Sequence, residues 1–232
     1  MKVRAGAGGQ QSIPRPAEWS PGDSAPWAHL SPDQRRVDLE RLAGVLQTRV
    51  PGSKLTGAPP PKRDSAVLIP LFDDEGEPAV ILTRRTRAMR AHSGEVSFPG
   101  GGQDDGESLW ETATREAEEE IGLPRHVPTC LGELDRLVTF SSQAQIHPYV
   151  ALLDDVPPLE PSPAEVDRIL AVDLSVLAAE GVFREELWRM PQFDDERTIT
   201  FFELDGDTVW GATATLLRQL LVVGLGLESP SA

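Results

Sequence analysis

The chain has a single cysteine, Cys130, among its 232 residues. An internal disulfide is therefore excluded. The N-terminal sequence also lacks the basic stretch followed by an apolar run that is typical of a secretory signal. We therefore expect a reducing, cytoplasmic location.

Long hydrophobic runs are lacking as well. The most apolar stretch, residues 216–227, has about half of the ~20 residues needed to span a bilayer, and it contains Arg218 and Gln219. We predict no membrane span.

Basic residues are few. The chain has 22 lysines and arginines against 37 aspartates and glutamates, which gives a formal net charge of -15. Because proteins that bind nucleic acids depend largely on basic side chains that cover phosphates, this balance argues against a nucleic acid as the main partner.

Proline and glycine divide the chain into segments. At 232 residues it is about one and a half times the ~150 residues of a typical domain, so one domain with appendages or two small domains are expected. We predict an extended or poorly ordered segment at 1–30, a helix at 32–48 with a proline-rich linker within 31–61, a main domain at 62–225 and a C-terminal tail at 226–232.

Short apolar runs alternate with helical patterns in the main domain. Strands are predicted at 65–72, 78–83, 95–98, 130–140, 146–153, 166–172 and 198–204, and helices at 109–121 and 211–224. This interleaving favours an α/β or α+β fold around a mixed sheet. One local signal conflicts with it, because Ser162 and the residues after it have the pattern of a helix start.

The helix at 109–121 is delimited by strong signals at both ends. Ser108 and Glu111 form a capping box, Gly122 is suited to a left-handed C-terminal cap, and Pro124 prevents continuation.

Three glutamates of this helix converge, and this arrangement lowers the stability of the helix. At ~100° per residue, Glu116, Glu119 and Glu120 cluster beside the apolar stripe, in the half of the helix where the macrodipole disfavours anions. Converging carboxylates are typical ligands of Mg²⁺ or Mn²⁺. On charge pattern alone, a solvated helix face stabilised by Glu111 and Arg115 is the better interpretation.

The spacing of the surrounding residues favours the metal site. The chain reads Gly101, five residues, Glu107, seven residues, then Arg115-Glu116-Ala117-x-Glu119-Glu120-x-Gly122-Leu123. This pattern on a capped helix resembles the Nudix box. Ala117 stands where larger aliphatic residues are common, a change that affects packing and not chemistry.

The resemblance implies a Nudix-type α/β/α sandwich with a mixed sheet. It also implies a hydrolase that uses metal-activated water to cleave a nucleoside diphosphate linked to another moiety, with Mg²⁺ or Mn²⁺ as cofactor. The metal ligands implied are Glu116 and Glu120, with Glu119 on a second metal or a metal-bound water, and a backbone carbonyl near Gly101. The catalytic group is completed by Arg115 and Glu107, which orient the carboxylates.

A basic segment precedes the box. Arg84, Arg85, Arg87 and Arg90 lie within seven positions, and His92 follows. The simpler interpretation is a solvated basic turn. However, arginine guanidinium groups match phosphate oxygens, and the concentration of arginines in so acidic a chain favours phosphate binding. We expect Arg85 and Arg90 to contact substrate, with Arg84, Arg87 and His92 as weaker candidates.

The same segment carries a second resemblance. The pattern is Leu82-Thr83-x-Arg85-Thr86-x3-Arg90-x3-Gly94-x3-Phe98-Pro99-Gly100-Gly101. It is similar to the signature of the coenzyme A pyrophosphatases, except for Thr86, where serine or alanine is usual. The resemblance implies cleavage of coenzyme A, or a derivative, to adenosine 3',5'-bisphosphate and 4'-phosphopantetheine.

Several questions stay open at this point. The general base is Glu119 by slight preference, with Glu160, Glu165 and Asp167 as alternatives. Other interpretations are a hydrolase of ADP-ribose or reduced NAD, a non-catalytic nucleotide-sensing module, and an acidic helical interaction protein. The partner expected is a small nucleotide, and a homodimer is one option for the oligomeric state.

Overall fold

The computed structural model describes residues 2–54, 60–86, 94–139, 143–190 and 195–227. Its strands are β1 (Lys2–Val3), β2 (Gly8–Gly9), β3 (Trp19–Pro21), β4 (Ser53–Lys54), β5 (Arg63–Asp74), β6 (Glu77–Arg85), β7 (Val96–Ser97), β8 (Gly100–Gly102), β9 (Thr129–Glu133), β10 (Arg136–Val138), β11 (Ala144–Leu152), β12 (Val166–Asp173), β13 (Phe183–Trp188) and β14 (Arg197–Trp210). The α-helices are α1 (Leu39–Thr48), α2 (Leu109–Ile121), α3 (Leu174–Leu177) and α4 (Gly211–Gly224).

A mixed sheet forms the centre of the fold. Its strand order is β1-β12-β6-β5-β11-β10-β4, and β7, β8 and β9 pair with β6, β5 and β11. The pair β5 and β11 is parallel over nine residues, whereas β5 with β6 and β6 with β12 are antiparallel. The predicted mixed sheet is confirmed.

The two faces of this sheet are covered differently, because side chains alternate along each strand. On β5, Ala66 and Leu68 pack under the apolar stripe of α2. Ile69 and Leu71 face a larger core that contains side chains of α1, α3 and α4. Helices therefore cover both faces, which is the predicted α/β/α arrangement.

A second, four-stranded sheet packs against the larger core, in the order β2-β14-β13-β3. Phe202 and Leu204 of β14 are fully buried there. The strand predicted at 198–204 is the first half of β14, and the sequence analysis missed β13, the antiparallel partner of β14.

The N-terminal segment from Lys2 is extended and packs against both sheets. β1 is parallel to β12, β2 is parallel to β14, and β3 is antiparallel to β13. Trp27 is 1% exposed and stacks on Phe202 with 6.3 Å between ring centroids. The predicted division of the chain at residues 30, 61 and 225 stays a prediction.

The predicted helix at 32–48 is wrong in its first half. Pro32–Gln34 is a single 3₁₀ turn, closed by the capping box in which Ser31 N donates to Gln34 Oε1 at 3.0 Å. The α-helix begins only at Leu39, because the Asp38 carboxylate accepts a hydrogen bond from Arg41 N at 3.0 Å. A capping box therefore marks a turn here and not the start of a long helix.

The predicted strand at 130–140 is also interrupted. It divides into β9 and β10, since Leu134 N donates to Pro148 O at 3.0 Å and Asp135 N donates to Gln219 Oε1 at 3.0 Å. Only Val96–Ser97 is a strand within the predicted 95–98.

The helices predicted at 109–121 and 211–224 are confirmed as α2 and α4, and the strand at 166–172 as β12. The conflicting helix signal produces one turn, in which Glu165 N and Val166 N both donate to Ser162 O. No helix in the part of the chain that the structure describes combines the length and hydrophobicity of a membrane span.

Candidate active site

Helix α2 presents the site, and local capping fixes its register. Ser108 Oγ accepts a hydrogen bond from Glu111 N at 3.3 Å, and Ser108 N donates to Glu111 Oε2 at 2.7 Å. At the other end Gly122 has the left-handed φ of 69° that glycine adopts without strain. Both predicted caps are confirmed.

Arg115 is the centre of a hydrogen-bond network beside the glutamates of α2. Its guanidinium donates to both oxygens of Glu107 at 3.1 and 2.9 Å, and to the carbonyl of Gly102 at 3.1 Å. It also donates to Glu116 Oε1 at 2.9 Å and to Glu119 Oε2 at 3.1 Å. Arg115 thus links β8 to α2 and orients two glutamates of the helix.

Glu107 is held as a carboxylate. The hydrogen bonds from Arg115 are the main reason that the pKa of Glu107 falls to about 2. The backbone N of Asp104 and the hydroxyl of Thr112 also donate to it, at 2.9 and 2.8 Å. The pair Glu107–Arg115 is therefore a fixed support beneath the glutamates.

Glu116 lies directly against the backbone of Gly101. A Cβ atom at Gly101 would overlap the Glu116 carboxylate, whereas a Cβ at the neighbouring Gly102 would meet no atom within 4 Å. Burial raises the pKa of Glu116 even though Arg115 donates to it. Because Gly101 has no side chain, the Glu116 carboxylate can lie against the backbone at this position.

Glu120 is the most buried acid of the helix, with 2% of its surface exposed. Burial raises its pKa to about 7, and the charge of Arg85 opposes that shift. Arg85 Nη1 lies 3.4 Å from Glu120 Oε1, and Gly100 N donates to Glu120 Oε2 at 3.4 Å. A second cation near this carboxylate would favour its ionised form.

Glu118 and Glu119 face outward. The Glu119 side chain is 55% exposed, and Glu118 pairs with Arg125 at 2.7 Å on the far side of the helix. Glu118 therefore points away from the cluster, as the helical periodicity predicts.

The donor chemistry fits a hard divalent cation. Within the described residues no three Asp, Glu, His or Cys side chains converge as a ready-made metal-binding group, and Arg115 and Arg85 hold the carboxylates instead. However, Glu116 and Glu120 are one turn apart, Glu116 is partly buried and Glu120 is buried, and both have raised pKa values. Carboxylate and carbonyl oxygens at such a place are the ligands that Mg²⁺ and Mn²⁺ accept.

The basic segment divides between the two faces of β6. Arg85 projects toward α2 and Glu120, but Arg84 projects to the opposite face. There its guanidinium donates to Asp167 Oδ2 at 2.7 and 3.0 Å and to Asp207 Oδ1 at 3.3 Å. The structure thus brings Arg85 to the glutamates and not Arg84. The predicted positions Arg87, Arg90 and His92 lie outside the described residues.

One downstream acid acts electrostatically on the glutamates of the site. The negative charge of Glu165 contributes to the raised pKa of both Glu116 and Glu120. Its position is fixed by Thr86 N, which donates to Glu165 O at 2.9 Å. Asp167 pairs with Arg84 on the other face, and Glu160 N donates to Ile121 O at 3.1 Å. Of the three downstream acids named from the sequence, Glu165 is the one whose charge acts on both glutamates.

Comparison with known proteins identifies the family of the chain. The NUDIX domain family model matches residues 62–203, more than half of the chain. The uncharacterized Nudix hydrolase NudL of Photorhabdus laumondii is 37% identical over 192 residues, covering 79% of this chain and 96% of that protein. The chloroplastic Nudix hydrolase 22 of Arabidopsis thaliana is 38% identical over 180 residues, covering 70% of this chain and 55% of that protein.

Among solved structures, a MutT/nudix family protein from Enterococcus faecalis aligns with a TM-score of 0.48 at 16% identity, covering 81% of this chain and 70% of that chain. The family model and the NudL relative decide the assignment. The chain therefore belongs to the Nudix family, as a hydrolase of a nucleoside diphosphate derivative.

Proposed function

We propose that this Nudix hydrolase is a divalent-metal-dependent coenzyme A pyrophosphatase. It cleaves coenzyme A, or a derivative, to adenosine 3',5'-bisphosphate and 4'-phosphopantetheine. The observation that carries the proposal is the 3.4 Å contact between Arg85 and Glu120. Arg85 belongs to the coenzyme A signature and Glu120 to the Nudix box, so the two motifs meet at one place.

The metal ligands in this proposal are Glu116 and Glu120, assisted by Glu119 and the carbonyl of Gly101. When bound, Mg²⁺ or Mn²⁺ neutralises charge on the pyrophosphate and lowers the pKa of a coordinated water. Arg115 and Glu107 keep the carboxylates in position. Their mutual hydrogen bonds hold Glu107 ionised well below neutral pH.

Arg85 binds a substrate phosphate in this proposal, since it lies beside the glutamates with 22% of its side chain exposed. Arg90 is assigned to substrate binding from the signature alone, and His92, a weaker candidate, from its place in the basic segment. Arg84 is not assigned to a phosphate, because two aspartates already engage its guanidinium. The proposed site thus combines an acidic helix for the cation with a basic residue for the anion.

The general base must be exposed enough to reach a water at the pyrophosphate. Glu119 meets this condition at 55% exposure, and its link to Arg115 Nη1 at 3.1 Å fixes its direction. We propose Glu119 as the base. Glu165 is the second candidate, because its charge acts on both Glu116 and Glu120.

The distribution of charge supports the proposed substrate class. Coenzyme A carries a 3'-phosphate in addition to its pyrophosphate, so a site that selects it needs more cationic groups than a site for ADP-ribose. A basic segment in a chain of net charge -15 supplies such groups locally. The intact box carboxylates argue against a non-catalytic sensing module.

The test is product identification. Purified protein is incubated with Mg²⁺ or Mn²⁺ and with coenzyme A, ADP-ribose or reduced NAD, and the products are identified by mass. We expect 4'-phosphopantetheine and adenosine 3',5'-bisphosphate from coenzyme A, in a metal-dependent reaction. If ADP-ribose or reduced NAD were hydrolysed faster than coenzyme A, that compound and not coenzyme A would be the preferred substrate. Turnover that persists in a chelator would contradict the metal-dependent mechanism.

A further inference from the structure

A cavity of about 230 Å³, lined by polar residues and glycines, lies on the face of β6 opposite to α2. The N-terminal segment contributes Gln10, Gln11 and Ser12 to its wall. The remaining lining residues come from the end of β6, the residue Gly94 and β14. The segment before the Nudix domain therefore helps to form a cavity next to the basic segment.

The wall of this cavity is preformed. Gln11 Nε2 donates to Asp207 Oδ1 at 3.3 Å, and Thr208 N donates to Gln11 Oε1 at 3.1 Å. Gly9 N donates to Thr208 Oγ1 at 2.9 Å. A Cβ atom at Gly9 would lie 2.8 Å from Asp207 Cα, so the close approach of the two segments requires glycine there.

The charges around the cavity are balanced. Asp207 is 1% exposed, and its carboxylate faces Arg84 Nη1 at 3.3 Å and Arg168 Nη1 at 3.9 Å. Arg84 also pairs with Asp167. Among the described residues the two arginines are thus matched by two aspartates. This balance disfavours a phosphate inside the cavity, so the 3'-phosphate of a coenzyme A substrate would lie outside it.

The groups that remain suit an uncharged ligand with several hydrogen-bonding atoms. Among the lining residues, Gln10 carries an amide and Ser12 a hydroxyl, and Gly94 and Gly206 have only backbone groups. An amide and a hydroxyl each donate and accept, as the edge of a nucleobase and the hydroxyls of a ribose require. The volume is below the ~300–1,000 Å³ typical of sites for whole drug-sized ligands, so it fits one part of a larger substrate.

We propose that this cavity binds the nucleoside end of the substrate and that the N-terminal segment recognises it. This inference rests on the proposed function. Arg85 and Arg84 are consecutive on β6, with the first facing the glutamates and the second facing the cavity. A substrate that passes over the end of this strand has its pyrophosphate on one face and its nucleoside on the other. Gln10 and Ser12 then act on specificity and not on the chemical step.

The test uses adenosine as the probe, in titration calorimetry with the full chain. Ser12→Ala and Gln10→Ala each remove one neutral hydrogen-bonding group, which corresponds to a loss of about 3- to 10-fold in adenosine affinity. Ser12→Tyr fills the cavity and abolishes binding. Ser24→Ala, at an exposed serine of the same segment outside the cavity, is the matched control and leaves adenosine affinity unchanged.

Kinetics decide whether this nucleoside belongs to the substrate. We expect Ser12→Ala and Gln10→Ala to raise KM for coenzyme A by the same factors with kcat unchanged. Unchanged KM with weakened adenosine binding would identify a separate effector site and overturn the proposal, as would adenosine binding that neither variant alters. Adenosine binding that both variants weaken, without turnover of coenzyme A, would contradict the proposed substrate and leave the nucleoside site standing.

Discussion

Arg85 Nη1 lies 3.4 Å from Oε1 of Glu120, a carboxylate that is almost fully buried at the end of the Nudix helix. Its neighbour in sequence, Arg84, lies on the other face of the same strand and pairs with Asp207. Two consecutive arginines thus take part in different sites. One faces the proposed metal and pyrophosphate, and the other lines the cavity formed with the N-terminal segment.

Replacing Arg85 is expected to weaken recognition of the substrate phosphates. A charge-assisted hydrogen bond of about 1.5–3 kcal/mol corresponds to a fall of roughly 10- to 100-fold in kcat/KM for Arg85→Ala. Arg85→Lys keeps the charge but loses the planar fork, so its activity is intermediate. If Arg85 selects the 3'-phosphate, coenzyme A turnover falls more than turnover of 3'-dephospho-coenzyme A.

The control for this comparison is Arg63→Ala, at an exposed arginine at the start of β5. Arg63→Ala should leave the turnover of coenzyme A and of 3'-dephospho-coenzyme A unchanged. Equal losses on both substrates in Arg85→Ala would contradict a role in selecting the 3'-phosphate.

Gly101 is expected to tolerate no side chain. In Gly101→Ala the new Cβ displaces the Glu116 carboxylate, so the cation-binding group is disrupted and turnover falls at least about tenfold, a loss of ~1.4 kcal/mol or more. Gly102→Ala is the matched control because its Cβ would meet open space. Similar activity of the two variants, measured with saturating Mg²⁺, would show that the close contact at Gly101 is unimportant.

Glu107 is expected to make folding pH-dependent in the acid range. Its pKa is about 2 in the folded protein and 4.5 in the unfolded chain, so the unfolded state binds more protons between these values. The stabilisation by Glu107 is complete above pH 4.5 and is lost as pH falls toward 2.

Urea unfolding in metal-free buffer measures this effect. The difference in unfolding free energy between the unmodified chain and Glu107→Gln should be larger at pH 6 than at pH 3. Glu180→Gln, at an exposed position, is the control and should show no such trend. A difference that is constant with pH would refute the assignment of the low pKa to Glu107.

Arg84 is expected to contribute more to stability than to turnover. Arg84→Ala leaves the buried Asp207 with Arg168 and Gln11 as its remaining partners. An incompletely compensated buried group costs about 2 kcal/mol, which lowers Tm by roughly 4–8 °C in a protein of this size. Scanning calorimetry measures the shift, with the exposed Arg36→Ala as control. A Tm equal to that of the unmodified chain would contradict the account of Asp207.

Helix α2 was the most predictable part of the fold, because its bounds depend on local signals. Ser108, Glu111 and Gly122 act through hydrogen bonds to residues at most five positions away. The same kind of signal misled at Ser31, where the capping box closes a single turn. A local pattern reports that a turn begins but not how far the helix continues.

The arrangement of the site depended on tertiary pairing that one sequence does not contain. The sequence motif favoured Arg85 over Arg84 as the substrate-binding residue, but only the pairing of β6 in the sheet shows which face each arginine occupies. No local sequence pattern indicated a role for Asp207, because its hydrogen-bond partners lie far away along the chain. The N-terminal strands of two or three residues are too short to show a hydrophobic period.

The central claim is that Glu116 and Glu120 hold the divalent cation that hydrolysis requires. The most direct test measures Mn²⁺ binding by electron paramagnetic resonance, together with coenzyme A turnover, in Glu116→Gln, Glu120→Gln and the control Glu118→Gln. We predict that the first two lose at least about tenfold in Mn²⁺ affinity and lose turnover, with native circular dichroism spectra, while the control matches the unmodified chain. Unchanged Mn²⁺ affinity and full turnover in both Glu116→Gln and Glu120→Gln would contradict the account.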